Sequence, residues 1–140
     1  MYTILVSARD FIYGFWRFSL VLENLYHYRA ILESSSDVYD GDTLRLTIDL
    51  GFGFARKRLQ LRLARINTPE LRGKEREKGL EVRDVLRKKL EGSELVVQTF
   101  RDRTGKYGRY LVELWILEGG VPLNVNDWLL ENGYATRWSG

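Results

Sequence analysis

The chain contains no cysteine and a single histidine, His27, among its 140 residues. Without cysteine, the protein cannot form disulfides, use a thiolate nucleophile or bind zinc through sulfur. One histidine disfavours both a histidine-based catalytic triad and a metal site with several histidine ligands. Any metal site would therefore be built from oxygen ligands, which favour calcium, magnesium or manganese.

Long apolar runs and internal repeats are also absent. The apolar segment Phe11–Leu22 is short and contains Arg17, so it does not fit a membrane-spanning helix. It lacks the basic start and small-residue cleavage site of a signal peptide. A covering strand or helix, a poorly ordered extension and a membrane or export role are alternatives for this segment. We expect no membrane association and favour a cytoplasmic over a secreted location, although cysteine usage fits either.

The length and charge indicate one domain with a modest basic excess. The formal charge is +3 and the pI is about 9.2, which permits a phosphate-rich partner. We expect a domain over residues 25–140, preceded by an N-terminal extension of unknown role over residues 1–24.

Alternating apolar residues predict five strands. In one of them Leu44, Leu46 and Ile48 share a face, as period-two patterns do. The predicted strands are Tyr26–Ser34, Thr43–Leu50, Ala55–Ile66, Glu94–Phe100 and Arg109–Leu117.

Two segments have helical spacing instead. Glu70–Leu90 carries Val82, Val85, Leu86 and Leu90 on one face. A short helix is predicted around Val125, Trp128 and Leu129. The order βββ-α-ββ-α predicts a mainly β protein with helices, folded as a five-stranded barrel of the OB type.

Asp40 and Asp42 flank Gly41 at the start of the second strand. Gly41 lets the backbone bend tightly there. Carboxylates so close repel each other, and a bound dication would relieve the repulsion. The alternative is a simple Asp-Gly turn without a ligand.

Thr68-Pro69-Glu70 follows the third strand. It is typical of a helix start, with Thr68 as N-cap and Pro69 at the first position. The same geometry would hold Glu70 rigidly near the strand end, as a general base acting on water requires.

Arg62 and Arg109 could clamp a phosphate between two guanidinium groups, or could be ordinary solvent-facing or ion-paired residues. Lys106 and Tyr107 lie in the polar loop Arg101–Gly108. They could bind a phosphate and stack on a base, or belong to a solvated turn.

Taken in order, three patterns resemble the staphylococcal nuclease family: D-G-D-T from Asp40, R-x-x-x-x-x-T-P-E from Arg62, and K-Y-G-R from Lys106. The resemblance covers about residues 26–138. It implies an OB barrel and a calcium-dependent phosphodiesterase that hydrolyses DNA and RNA to 3′-phosphate products. DNA or RNA would be the partner, the protein would be a monomer, and no protein partner is implied.

The resemblance also implies roles for single residues. Asp42 would be a direct metal ligand, supported by Asp40, and the Thr68 backbone carbonyl would face the metal. Glu70 would be the general base. The phosphate-binding residues would be Arg62 and Arg109 at the scissile phosphate, and Lys106 and Tyr107 at the terminal phosphate.

Three features depart from the family. Asn67 stands where the best-known members have a second aspartate ligand, so we expect weaker metal binding or an altered preference among calcium, magnesium and manganese. We also expect the C-terminal helix of longer members to be absent, and the tyrosine expected around Ser139 is missing. The N-terminal extension has no assigned counterpart.

Two other function classes remain open from the sequence. One is a non-catalytic nucleic-acid-binding module on the same barrel. The other is a structural or protein-interaction domain that docks through its apolar N-terminal segment.

Overall fold

The computed structural model describes residues 26–104 and 108–138. The N-terminal extension therefore lies outside the described residues, as do Lys106 and Tyr107. The strands are β1 (His27–Ile31), β2 (Thr43–Gly51), β3 (Phe54–Leu63), β4 (Ile66–Asn67), β5 (Leu95–Thr104), β6 (Tyr110–Glu118), β7 (Val121–Asn124) and β8 (Thr136–Arg137). The helices are α1 (Arg76–Leu90) and α2 (Val125–Glu131).

Five strands close into a barrel. Their hydrogen-bonded order is β3-β2-β1-β5-β6, and β6 returns to pair in parallel with β3. The other pairings within the barrel are antiparallel. The prediction of a mainly β, OB-type barrel with two helices is confirmed.

The core fills the barrel and the space beneath α1. The alternation predicted for the second strand is confirmed, since Leu44, Leu46 and Ile48 all point into the core. From α1, Val82 and Leu86 are fully buried against it. Each such side chain stabilises the fold by about 1.5–3 kcal/mol relative to an exposed position.

The predicted start of the long helix is wrong. The α-helix begins at Arg76 rather than Glu70, after a 3₁₀ turn over Gly73–Glu75. Thr68 caps no helix, because its side-chain Oγ1 accepts no hydrogen bond, and its backbone N–H donates to the Oδ2 of Asp42 at 3.0 Å. This tertiary hydrogen bond ties the Thr68 backbone to the Asp40–Asp42 loop, and the helical conformation begins only at Gly73.

The third strand is interrupted where one long strand was expected. Arg65 has a φ of 66°, which breaks the extended backbone after β3. The chain then continues as β4, which pairs with β8 in a separate two-stranded ribbon. Neither this ribbon nor β7 was predicted.

Two further boundaries differ from the prediction. The first strand ends at Ile31 rather than Ser34. Strand β5 continues to Thr104, so the predicted loop from Arg101 begins later.

No helix among the described residues has the length and apolar character needed to cross a membrane.

Candidate active site on the barrel

An open cavity of about 550 Å³ lies beside the barrel and the segment that leads into α1. Every candidate site residue within the described ranges lines this cavity, whereas Lys106 and Tyr107 lie outside those ranges. The lining candidates are Asp40, Asp42, Arg62, Asn67, Thr68, Glu70 and Arg109.

Strand pairing brings the two arginines to one end of the barrel. Arg62 on β3 lies directly across from Thr43 on β2. Tyr110 pairs with Leu61 in the parallel β3–β6 ladder. Arg109, the residue before Tyr110, therefore lies at the same end of the barrel as Thr43. Its Nη1 donates to the Thr43 Oγ1 at 2.9 Å.

Arg62 and Asp42 form a buried ion pair. Arg62 Nη1 lies 3.3 Å from Asp42 Oδ2, and each side chain is only 9% exposed. Arg62 also donates to the Leu63 carbonyl at 2.9 Å and to Asn67 Oδ1 at 3.4 Å. Burial lowers the pKa of Arg62, Asp42 raises it and Arg109 lowers it further. A guanidinium remains charged under these conditions.

The carboxylates of Asp40 and Asp42 repel each other. Burial first, and then the charge of Asp42, raise the pKa of Asp40 to about 6. Two hydrogen bonds oppose this shift, because Asp40 Oδ1 accepts from the Asp42 N–H at 3.0 Å and the Thr43 N–H at 2.8 Å. The loop therefore holds the two carboxylates close at an electrostatic cost that a cation would relieve.

Gly41 is needed for space at this point. A Cβ there would lie 2.8 Å from the Thr68 Cβ and 2.6 Å from Val82 Cγ1. The expected tight bend is not a left-handed one, since Gly41 is not among the positive-φ residues. The missing side chain instead lets the Asp40–Asp42 loop pack directly on Thr68 and α1.

Glu70 is held by packing rather than by a helix start. Its side chain is 57% exposed and its Oε2 accepts from Arg72 Nε at 2.7 Å. Its N–H donates to Glu75 Oε2 at 3.2 Å. The backbone of Glu70 lies against Gly79 of α1, where an added Cβ would be 2.4 Å from the Glu70 carbonyl oxygen.

The cavity could hold a hard divalent cation. Its potential ligands are all oxygens: the carboxylates of Asp40 and Asp42, the Asn67 amide and the Thr68 carbonyl. The buried Thr68 Oγ1 has no hydrogen-bond partner. However, within residues 26–104 and 108–138 no group of three or more acidic or histidine side chains could hold a metal ion. The residues therefore fit a cation that keeps several water ligands.

Trp138 is a cavity residue that the motifs did not indicate. Its ring centroid lies 5.1 Å from the Arg62 guanidinium carbon. The β4–β8 ribbon places it there, and the Trp138 N–H donates to the Arg65 carbonyl at 2.8 Å. The only sequence signal was an aromatic residue beside the position where the family resemblance led us to expect one. Tyr39, Leu71 and Arg72 also line the cavity and were not predicted.

Comparison with known proteins supports the resemblance. A family model described as staphylococcal nuclease homologue matches residues 60–139, more than half of the chain. The match includes Arg62, Glu70 and Arg109, whereas Asp40 and Asp42 precede it. No curated protein matches the chain. On the family-model match, the chain belongs to the staphylococcal nuclease homologue family.

Proposed function

We propose that the protein is a metal-dependent nuclease that hydrolyses phosphodiester bonds of DNA or RNA and leaves 3′-phosphate ends. One observation carries the proposal: two arginines, two neighbouring aspartates and a separate, partly exposed glutamate line a single open cavity. A phosphodiester needs cations for its charge and a base for the attacking water, and these residues supply both.

Arg62 and Arg109 would bind the scissile phosphate. Both belong to strand-anchored segments beside Thr43, so their positions are set by the barrel rather than by a free loop. Guanidinium groups bond phosphate oxygens in pairs and stay charged. They would therefore stabilise the extra negative charge that develops as water attacks phosphorus.

Glu70 would be the general base. Its carboxylate lies at the edge of the cavity, where water has access, and its contact with Arg72 is an exposed ion pair. Such pairs contribute little to stability, so a substrate or water can displace Arg72 at small cost. Glu70 would take the proton of the attacking water, and the departing 5′ oxygen would be protonated from solvent.

A divalent cation, with calcium favoured over magnesium or manganese, would be held by Asp42, Asp40, Asn67 and the Thr68 carbonyl. When bound, it would supply positive charge beside the phosphate and offset the repulsion between the two aspartates. Asn67 keeps an oxygen ligand but carries no charge, so we expect weak binding of the ion.

The products test this proposal. Single-stranded DNA and RNA with a labelled 5′ end would be digested in calcium, magnesium or manganese, with a chelator control. Fragments should form only when one of the ions is added. Their mobility in a sequencing gel should change after phosphatase treatment, because the phosphatase removes a 3′-phosphate. Fragments with 3′-hydroxyl ends, or no fragments with any ion, would contradict the proposal.

A non-catalytic nucleic-acid-binding module is the second candidate. It is favoured by the uncharged Asn67 and by the fact that, in the described ranges, no three acidic or histidine side chains are placed to hold a metal ion together. Binding that weakens steeply with salt but never leads to fragments would identify this function.

A further inference from the structure

A smaller cleft adjoins the cavity. Tyr39 and Thr43 line both spaces, so the two lie side by side at these residues. The cleft has a volume of about 120 Å³, and Arg45, Gln60 and Asp37 form its other walls. None of these three residues has a role in the function proposed above.

Tyr39 is an exposed aromatic residue on an anchored backbone. Its exposed fraction is 63%. Its N–H donates to the Thr43 carbonyl at 3.0 Å. The preceding carbonyl, of Val38, accepts two hydrogen bonds from Arg87, at 2.9 and 3.2 Å. A large ring that projects into water from a held backbone is suited to stacking on a planar ligand, because little backbone freedom is lost on binding.

Asp37 ties the segment before Tyr39 to the barrel through a second contact. Its carboxylate is buried and pairs with Arg58 on β3. The pair joins the turn before Tyr39 to the barrel. It also neutralises Asp37, so the cleft wall does not strongly repel an anion.

Arg45 extends the positive charge of the cavity along the barrel surface. It is exposed and makes no ion pair among the described residues. It lies two residues beyond Thr43 on the same face of β2, roughly 7 Å further along the strand. Its cross-strand neighbour is Gln60, just as the neighbour of Thr43 is Arg62. A polar and cationic track therefore continues from the phosphate-binding arginines into the cleft.

We infer that this cleft is a subsite that binds, in a single-stranded nucleic acid, the nucleotide on the other side of the scissile phosphate from the nucleotide bound in the cavity. Tyr39 stacks on the base of that nucleotide, Arg45 binds its phosphate and Gln60 hydrogen-bonds the base edge. The inference rests on the proposed function, since it takes Arg62 and Arg109 as the residues that hold the scissile phosphate. The substrate is single-stranded, because a base within a duplex is already stacked and paired and so cannot stack on Tyr39.

Ligands of two lengths test the subsite. Binding to Glu70→Gln protein, which should leave the strand intact, would be measured in calcium by competition against a fluorescent oligonucleotide. One competitor is thymidine 3′,5′-bisphosphate, which has a single nucleoside and so lacks the second nucleotide needed to occupy the cleft. The other is a thymidine hexanucleotide, which reaches the cleft. Tyr39→Ala and Arg45→Ala should each weaken hexanucleotide binding by about fivefold or more. Arg45→Ala should leave bisphosphate binding within about twofold, because Arg45 lines the cleft and not the cavity.

Matched variants separate the subsite from general effects. Tyr39→Phe keeps the ring and should keep most of the affinity. Phe52→Ala removes a fully exposed aromatic residue at the far end of β2, and Lys88→Ala removes an exposed cation from α1. Neither should change hexanucleotide binding. Equal losses for both competitors in Arg45→Ala, or losses of hexanucleotide binding no larger than those of the two controls, would overturn the subsite.

The result is independent of the nuclease test. If wild-type protein cleaves DNA but Tyr39→Ala does not alter hexanucleotide binding, the subsite is rejected and the nuclease stands. If wild-type protein never cleaves but strand binding depends on Tyr39 and Arg45, the subsite is supported and the nuclease is rejected.

Discussion

Gly79 on α1 lies directly against the backbone carbonyl of Glu70, leaving no room for a side chain between them. A Cβ at position 79 would be 2.4 Å from that oxygen and 2.9 Å from the Pro69 carbonyl oxygen. The helix therefore supports the segment that carries the proposed base, although that segment is not itself helical.

Gly79→Ala should lower the cleavage rate, whereas the free energy of unfolding should change little. The added methyl must push the Glu70 segment away, at a cost of about 1–3 kcal/mol for overpacking. Alanine recovers about 1 kcal/mol of helix propensity, so the net loss of unfolding free energy should be small. Cleavage rate and thermal unfolding should be measured together, with Glu77→Ala on the exposed side of α1 as the control. A fully active Gly79→Ala protein would show that this contact does not position Glu70.

Asn67→Asp should strengthen metal binding. The change restores a negative charge in a cavity that already holds Asp40 and Asp42, while keeping the oxygen 3.4 Å from Arg62 Nη2. The concentration of calcium that gives half-maximal cleavage should fall. Asn132→Asp adds the same charge at an exposed site after α2 and should leave the titration unchanged. An unaltered titration for Asn67→Asp would place residue 67 outside the coordination sphere.

Trp138→Ala should weaken catalysis through Arg62. The indole ring lies 5.1 Å from the guanidinium carbon, and a cation–π contact of this kind contributes about 0.5–2 kcal/mol. The value of kcat/KM should therefore fall by about two- to thirtyfold, and Trp138→Phe should recover part of it. Trp128, whose ring faces Lys89, offers a comparison at a distant position. If Trp138→Ala and Trp128→Ala lower kcat/KM equally, Trp138 has no specific effect on Arg62.

The strands and most of the site could be predicted from the sequence because their signals are local. Leucines at every second position identified β2, and spaced apolar residues identified α1. The ordered motifs around Asp42, Arg62, Glu70 and Arg109 identified residues that the barrel does bring together.

Other features depend on contacts between distant segments, which local patterns do not contain. Thr68 carried a good helix-start signal, but the α-helix begins at Arg76, and the Thr68 N–H donates to a carboxylate 26 residues earlier in the chain. Trp138 reaches Arg62 only because β8 pairs with β4, and each of those strands has two residues. Such short strands show no periodicity.

Cleavage of single-stranded DNA by wild-type and Glu70→Gln protein, with calcium present, tests the central claim most directly. Removing a general base should lower the rate by about 10²–10⁴-fold, while DNA binding and thermal unfolding change little. Glu77→Gln, an exposed glutamate on α1, should cleave like wild type. Cleavage by Glu70→Gln at the wild-type rate would contradict the assignment of Glu70 as the base.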